Sequence, residues 1–379
     1  MHIAFLTPEY PHSELSRSGG LGTSIKNLAK GLVQNGVKVS IFIIGQSKNI
    51  HLDDDGIKLF SLEKKQHIAF NWYLERKRVQ KTINNYIKAD GIQLIEAPDW
   101  TGISAFMKFK VPLIIRLNGS DGYFCHLDER PQKKKNFFLE RKALKNANAI
   151  VSVSTFTGSL TKQIFKLKHH IKTIHNSIDV KAFEPINTRI NENQLLYFGT
   201  IIRKKGVLEL AEAFNLVIKK EPKSELVLIG KDVVDVFKKE STVKLFFDRL
   251  SSEAKKQVNY IPEVPYSEIK NHIAQAKVIV LPSFAEAFPM TWLEALSMEK
   301  ALVSSDIGWA KELMIDNETG YTVNPKNHKE FASKLLDLLN DSKKCETFGK
   351  QGREHVEKTF SIETITKQNI EFYKSLIKT

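Results

Sequence analysis

Pro282-Ser283-Phe284-Ala285-Glu286-Ala287-Phe288-Pro289-Met290-Thr291-Trp292-Leu293-Glu294-Ala295-Leu296 directly succeeds the apolar run Lys277–Leu281. A short β-branched run ending in proline reads as a strand buried on both faces. The residues after it read as a loop entering a helix. Pro289 suits the first helical turn, where its missing N–H has no partner to lose. The start of that helix offers amides from Met290 and Thr291 and a partial positive charge, a setting for anions and hydroxyls. Glu286 falls in the loop, where a carboxylate can accept from sugar hydroxyls. Glu294 falls about one turn into the helix, where it can accept from two adjacent hydroxyls of the kind a ribose presents. Each charge-assisted bond of this sort is worth about 1.5–3 kcal/mol. Taken singly, either glutamate reads as a capping or solvated acid; the pair in a strand-loop-helix frame points to a ligand.

The same alternation extends in both directions. Upstream strands are expected at Ile3–Leu6, Val37–Ile44, Gln93–Ala97, Val111–Leu117, Ala149–Val153 and Lys172–His175. A second set is expected at Gln194–Phe198, Glu225–Ile229, Val258–Ile261, Lys277–Leu281, Ala301–Ser304 and Tyr321–Val323. Strands alternating with helix-length segments imply right-handed crossovers and parallel sheets. The series restarts after the polar stretch Asn187–Asn193, so the chain reads as an α/β protein with domains at 1–187 and 188–360. A final helix at about 361–379, with Ile362, Ile365, Ile370, Phe372, Tyr373 and Leu376, must pack on something. Ligands in such sheets bind beyond the carboxyl ends of the strands, and two such domains make the cleft between them the expected site.

Two more stretches fit that expectation. Phe198-Gly199-Thr200-Ile201-Ile202-Arg203-Lys204-Lys205-Gly206 places three cations between a strand end and a helix start, suited to clamping a diphosphate. Ser18-Gly19-Gly20-Leu21-Gly22-Thr23-Ser24 is a glycine-rich approach to a helix, where backbone can come close to a ligand. It lacks the spacing of a dinucleotide fingerprint.

Glu286 and Glu294, separated by seven residues within Pro-Ser-x-x-Glu-x-Phe…Glu-Ala, resemble the signature of glycosyltransferase family 4, retaining enzymes of the GT-B fold. That fold implies two Rossmann-like parallel-sheet domains facing a cleft, with the last helix crossing back to the N-terminal domain. The resemblance implies that Glu286 contacts the donor sugar and Glu294 the nucleotide ribose, and that Lys205 and Arg203 meet the diphosphate. It implies that Gly20 faces the phosphates from the other domain, and that Gly199, Phe288, Pro289, Met290 and Thr291 complete the nucleotide site. Ala287 and Thr200 replace a usual glycine and arginine. Asn176-Ser177-Ile178-Asp179, Asp306–Glu312 through Thr319-Gly320 (with Trp309 in place of a glycine) and Glu96–Trp100 resemble further family segments, the last an acceptor-side strand end. Asn118 stands where many relatives carry histidine near the transferred sugar; it can hydrogen-bond but cannot act as acid or base.

The expected activity is therefore retaining transfer from a nucleotide-diphosphate sugar to a glycan, lipid-linked or other hydroxyl acceptor, in cell-surface polysaccharide or glycolipid synthesis. UDP, GDP and ADP remain open as donor nucleotides. No metal or other cofactor is expected. The alternatives are a glycoside hydrolase using Glu286 and Glu294 and a non-catalytic, two-domain sugar-binding protein.

Composition bounds these readings. The 379 residues are 42% hydrophobic and 26% charged, a globular balance. The net charge of +14 suits anionic partners, and no nucleic-acid-binding signature accompanies it. Two distant cysteines, Cys125 and Cys345, suggest neither disulfide nor zinc site and a reducing cytoplasm. Asp53-Asp54-Asp55 before Gly56 reads as a turn rather than a metal site, and His169-His170 as a loop. Lys133-Lys134-Lys135 beside Phe137-Phe138 is a solvated helix face on one reading and a docking patch for the anionic inner membrane surface on the other.

Overall fold

The computed structural model describes residues 1–66 and 68–377, arranged as two compact units: Met1–Ile178 with Phe360–Thr379, and Asp179–Thr359. The division falls ahead of the 187/188 boundary expected from sequence.

The first unit is built on an eight-stranded sheet ordered β3-β4-β2-β1-β5-β6-β7-β8. Its strands are β1 (His2–Thr7), β2 (Lys38–Gln46), β3 (Ile50–Asp54), β4 (Ile57–Glu63), β5 (Leu94–Pro98), β6 (Leu113–Leu117), β7 (Ala149–Ser152) and β8 (Ile171–Thr173). Every residue of β1, β5 and β6 is buried, as expected of strands covered on both faces. All pairings are parallel except β3 with β4, a hairpin at the sheet edge that the series of apolar runs does not contain. Its turn is Asp54-Asp55-Gly56-Ile57, with positive φ at Asp55 and Gly56, and the Gly56 amide donates to Asp53 Oδ1 at 2.8 Å. Asp54 is held by Tyr10 at 2.6 Å and Lys26 at 2.8 Å, so this acidic run is structural.

The helix Ile362–Ile377 belongs to this unit; the last two residues of the expected 361–379 helix, Lys378 and Thr379, lie outside the described residues. It lies so close to the helix Gly20–Gln34 that a Cβ on Gly31 would sit 2.0 Å from Thr366 Oγ1. A buried network fastens it to the sheet. Arg116 at the end of β6 donates to Glu96 of β5 at 2.6 and 3.1 Å and to Asn369 Oδ1 at 2.6 Å, and Tyr373 donates to Glu96 at 2.7 Å. Glu96 is thus occupied as a structural anchor.

The second unit holds a fully parallel six-stranded sheet ordered β11-β10-β9-β12-β13-β14. The strands are β9 (Asn191–Phe198), β10 (Glu225–Ile229), β11 (Val258–Ile261), β12 (Ala276–Leu281), β13 (Ala301–Ser305) and β14 (Tyr321–Val323). Trp309, standing where a glycine was expected, fills the core against Trp292 with ring centroids 5.0 Å apart and both rings fully buried.

Among the described residues no helix is long and apolar enough to cross a membrane, and no group of His, Cys, Asp or Glu is placed to hold a metal ion.

Candidate active site

In the second unit the chain builds β9, β10 and β11 outward in one direction, then returns to place β12 on the other side of β9. The carboxyl ends of β9 and β12 therefore flank a topological switch point, where open α/β sheets leave a crevice. The loops leaving those ends carry the Gly199–Gly206 cations and the Pro282–Pro289 glutamate, and they are laced together. The Phe284 and Ala285 amides donate to Lys204 O at 2.8 and 3.3 Å. Gly206, at φ +72°, comes so close that a Cβ would lie 1.9 Å from Pro282 O. Glycine is required there both for the left-handed backbone and for the approach.

This lacing brings Lys205, in a 3-10 turn after β9, onto Glu286. The ammonium donates to Glu286 Oε1, which also accepts from Ser283 Oγ at 3.0 Å. Glu286 is its one hydrogen-bond partner among the described residues, so two of three ammonium hydrogens stay unspent. Glu294 lies in the helix Met290–Ser297, 4% exposed, accepting from Tyr266 Oη at 2.6 Å. Burial pushes its carboxyl up to about 7, against the opposing pull of the Tyr266 hydrogen bond and the Lys205 charge. Lys205, Glu286 and Glu294 thus form one electrostatic cluster.

Pro289 differs from expectation: it is the extended residue capping the helix (ψ 121°), and the first turn starts at Met290. The ring still costs no intrahelical bond, because the cap's N–H would not have been spent within the helix. Phe288, Pro289 and Met290 are buried. Thr291 is partly exposed, and its methyl would lie 3.9 Å from a Cβ on Gly199, so Gly199 and the helix start face each other.

Arg203 is placed differently from a phosphate clamp. Its guanidinium is bidentate to Asp235 at 2.6 and 3.2 Å and lies 5.4 Å from the Phe237 ring centre. Asp235, fully buried, also accepts from the Phe237 and Lys238 amides at 3.1 and 2.6 Å. Arg203 therefore braces the 231–241 loop. Asp235, Ser283 and Tyr266 were not foreseen. Ser283 lies within the Pro-Ser-x-x-Glu motif; nothing local marks the other two, which become neighbours only when β10 and the helix Tyr266–Gln275 are in place.

In the first unit the switch point lies between β1 and β5. Beyond β1, Gly20 opens the helix Gly20–Gln34, but an internal acid already occupies the amides there: Glu9 Oε1 accepts from Gly19 and Gly22 at 3.0 and 2.8 Å. Glu9 is a further residue that no local sequence signal marks. Asn118 succeeds β6 and is partly exposed, its amide donating to Asp99 Oδ1 at 3.0 Å. Asp99 is fully buried, and burial together with the charge of Glu140 pushes its carboxyl up to about 8.

Comparison with known proteins accords with this arrangement. The sequence pattern of "Glycosyltransferase Family 4" matches residues 18–182, and that of "Glycosyl transferases group 1" matches 180–355. An uncharacterised glycosyltransferase of Methanocaldococcus jannaschii is 23% identical, the alignment covering 99% of this chain and 98% of that protein. The capsular polysaccharide biosynthesis glycosyltransferase CapM of Staphylococcus aureus is 28% identical over 52% of this chain and 50% of CapM. HepE of Anabaena, solved in complex with UDP and glucose, superposes with a TM-score of 0.75 at 17% identity, covering 99% of this chain and 100% of HepE. The chain is a glycosyltransferase with the GT-B fold and belongs to glycosyltransferase family 4.

Proposed function

We propose that the carboxyl edge of β9 and β12 binds a nucleoside-diphosphate sugar and that the enzyme transfers the sugar with retention of configuration. The observation that carries this is the grouping of Lys205, Glu286 and Glu294 around the start of the helix Met290–Ser297. Glu294 accepts from the ribose hydroxyls. Lys205 turns its unspent hydrogens to the diphosphate, assisted by the amides of Met290 and Thr291. Glu286, oriented by Lys205 and Ser283, accepts from hydroxyls of the donor sugar. In the transfer the anomeric carbon–oxygen bond to the diphosphate breaks as the acceptor oxygen bonds to that carbon. The acceptor's proton passes to the departing diphosphate oxygen on the same face. Charge developing on that oxygen is what Lys205 and the helix start stabilise.

HepE's complex with UDP and glucose supports UDP as the donor nucleotide, and likeness to CapM supports a growing surface polysaccharide or its lipid-linked precursor as acceptor. Hydrolysis with Glu286 and Glu294 as an acid–base pair is less well supported, because Glu286 is tied to Lys205. A thermal-stabilisation panel of UDP, GDP and ADP and their glucose conjugates tests the donor assignment. A rise in melting temperature with UDP and UDP-glucose, and little with the others, is expected. An equal rise with GDP or ADP and their conjugates would overturn it.

A further inference from the structure

An unusual concentration of exposed apolar and basic side chains lies on the first unit. Three segments build it: the start of the helix Asn71–Asp90, the turn after β5, and the helix Lys134–Asn146. Phe70 is 73% exposed, Leu74 41%, Trp100 43% and Phe138 54%. They are not scattered. Phe138 stacks toward Phe106 at 6.0 Å, and Phe106 toward Trp72 at 5.6 Å and Tyr73 at 5.7 Å. Trp72 and Trp100 line one hollow of about 420 Å³ together with Lys64, Lys65 and Lys135.

Cations interleave with these rings. Lys135 lies 5.6 Å from the Trp72 ring, Lys142 5.9 Å from Phe106 and Lys77 5.6 Å from Tyr73. Along the helix Lys134–Asn146 the outward stripe reads Lys134, Phe138, Lys142, Lys145. The acids beside the patch are spent: Glu75 pairs with Arg78 at 2.7 Å, and Glu140 is buried and accepts from the Thr101, Asp121 and Gly122 amides. An isolated surface phenylalanine needs no explanation, but a contiguous aromatic patch ringed by lysines does.

We infer that this face docks on an anionic lipid bilayer, with Phe70, Leu74, Trp100 and Phe138 entering the headgroup–acyl boundary and the lysines meeting lipid phosphates. Charge complementarity selects this occupant. Exposed aromatic and aliphatic tips interleaved with lysines across three segments match a surface that is anionic on the outside and apolar just beneath. Each lysine near an anionic surface strengthens partitioning about fivefold, and the aromatic anchors add an apolar contribution that salt does not screen. The inference is independent of the donor-site assignment, since binding can be read without any turnover.

The experiment is flotation of the full chain with vesicles of phosphatidylcholine alone or with roughly one third phosphatidylglycerol, alongside tryptophan emission. Trp292 and Trp309 are fully buried, so a change in emission reports on Trp72 and Trp100. Expected are flotation with the anionic vesicles only, a blue shift on binding, and at least a tenfold loss of partitioning in Lys134→Glu/Lys135→Glu and in Phe70→Ser/Phe138→Ser. Melting temperatures of both variants should stay near wild type, because the substituted side chains are exposed. Equal flotation with neutral vesicles, or variants that float as well as wild type, would overturn the inference. So would a blue shift on concentrating the protein without lipid, which would mark the face as an interface between copies. Displacement by inorganic phosphate at constant ionic strength would also overturn it, by pointing to a discrete phosphate site.

Discussion

Arg116–Glu96 in the first unit and Lys205–Glu286 in the second are both ion pairs at strand ends or the loops after them, and they differ in what they have left to give. Arg116–Glu96 in the first unit is sealed, with side chains 6% and 4% exposed, and both partners are further engaged by Asn369 and Tyr373. Lys205–Glu286 in the second unit is more open, at 20% and 11%; its ammonium keeps two hydrogens, and a second acid, Glu294, lies close enough to feel its charge. The first pair is saturated and holds a helix to a sheet. The second has donor capacity left and sits at a topological switch point, where open α/β sheets leave a crevice.

The sharpest way to break this contrast is to cut each pair. Arg116→Met leaves Glu96 buried without its cation and should lower unfolding free energy by roughly 3–5 kcal/mol in urea titration. Lys205→Met in the same assay should cost less, about 1–2 kcal/mol, because Glu286 keeps its Ser283 hydrogen bond and is less completely enclosed than Glu96. Comparable losses would erase the distinction.

Activity should separate them the other way. Lys205→Ala is expected to reduce transfer about 10²–10³-fold in steady-state assays with saturating acceptor, the size found when one donor to a developing oxyanion is removed. Wild-type turnover would remove Lys205 from the reaction.

Glu294 sharpens the comparison through pH. Its folded carboxyl titrates at about 7 against 4.5 for the ordinary group, so between those values the native state keeps a proton that the unfolded chain has lost. Its contribution to ligand-free stability is complete below about pH 4.5, declines as pH rises to about 7 and is flat beyond, a change of roughly 3 kcal/mol. Glu294→Gln should flatten that part of the profile measured by denaturant unfolding at several pH values. The decline persisting in the variant would assign it to another group.

The smallest effect is expected at Arg203. Arg203→Lys loses the bidentate grip on Asp235 and should cost about 1 kcal/mol of stability. A loss of transfer much larger than the loss of stability would return Arg203 to the diphosphate.

Much of this arrangement was legible in the chain because it is written locally. β12 carries the apolar run Val278–Leu281, and its loop, cap and helix are contiguous with it, so Glu286 and Glu294 could be placed on a loop and a helix before any fold was known. Lys205 was legible for the same reason, lying between a strand end and Gly206. What stayed hidden depends on long-range pairing. The β3–β4 hairpin is an edge feature whose outer strand, Ile-His-Leu-Asp-Asp, carries too little apolar signal to announce itself. Arg203 looked free because its partner, Asp235, is supplied by a loop after β10. The anchoring role of Glu96 was hidden because its partners come from β6 and from the far C-terminus. Local chemistry told which residues were charged and placed; only the tertiary partners told which charges were already spent.

The most direct measurement is calorimetric binding of UDP to wild type, Glu294→Ala and Arg116→Lys under conditions where all three remain folded. Loss of the ribose bonds predicts weakening of roughly 1.5–3 kcal/mol, about 10- to 150-fold, in Glu294→Ala, with Arg116→Lys close to wild type. Unchanged affinity in Glu294→Ala would contradict the placement of the nucleotide at the carboxyl edge of β9 and β12.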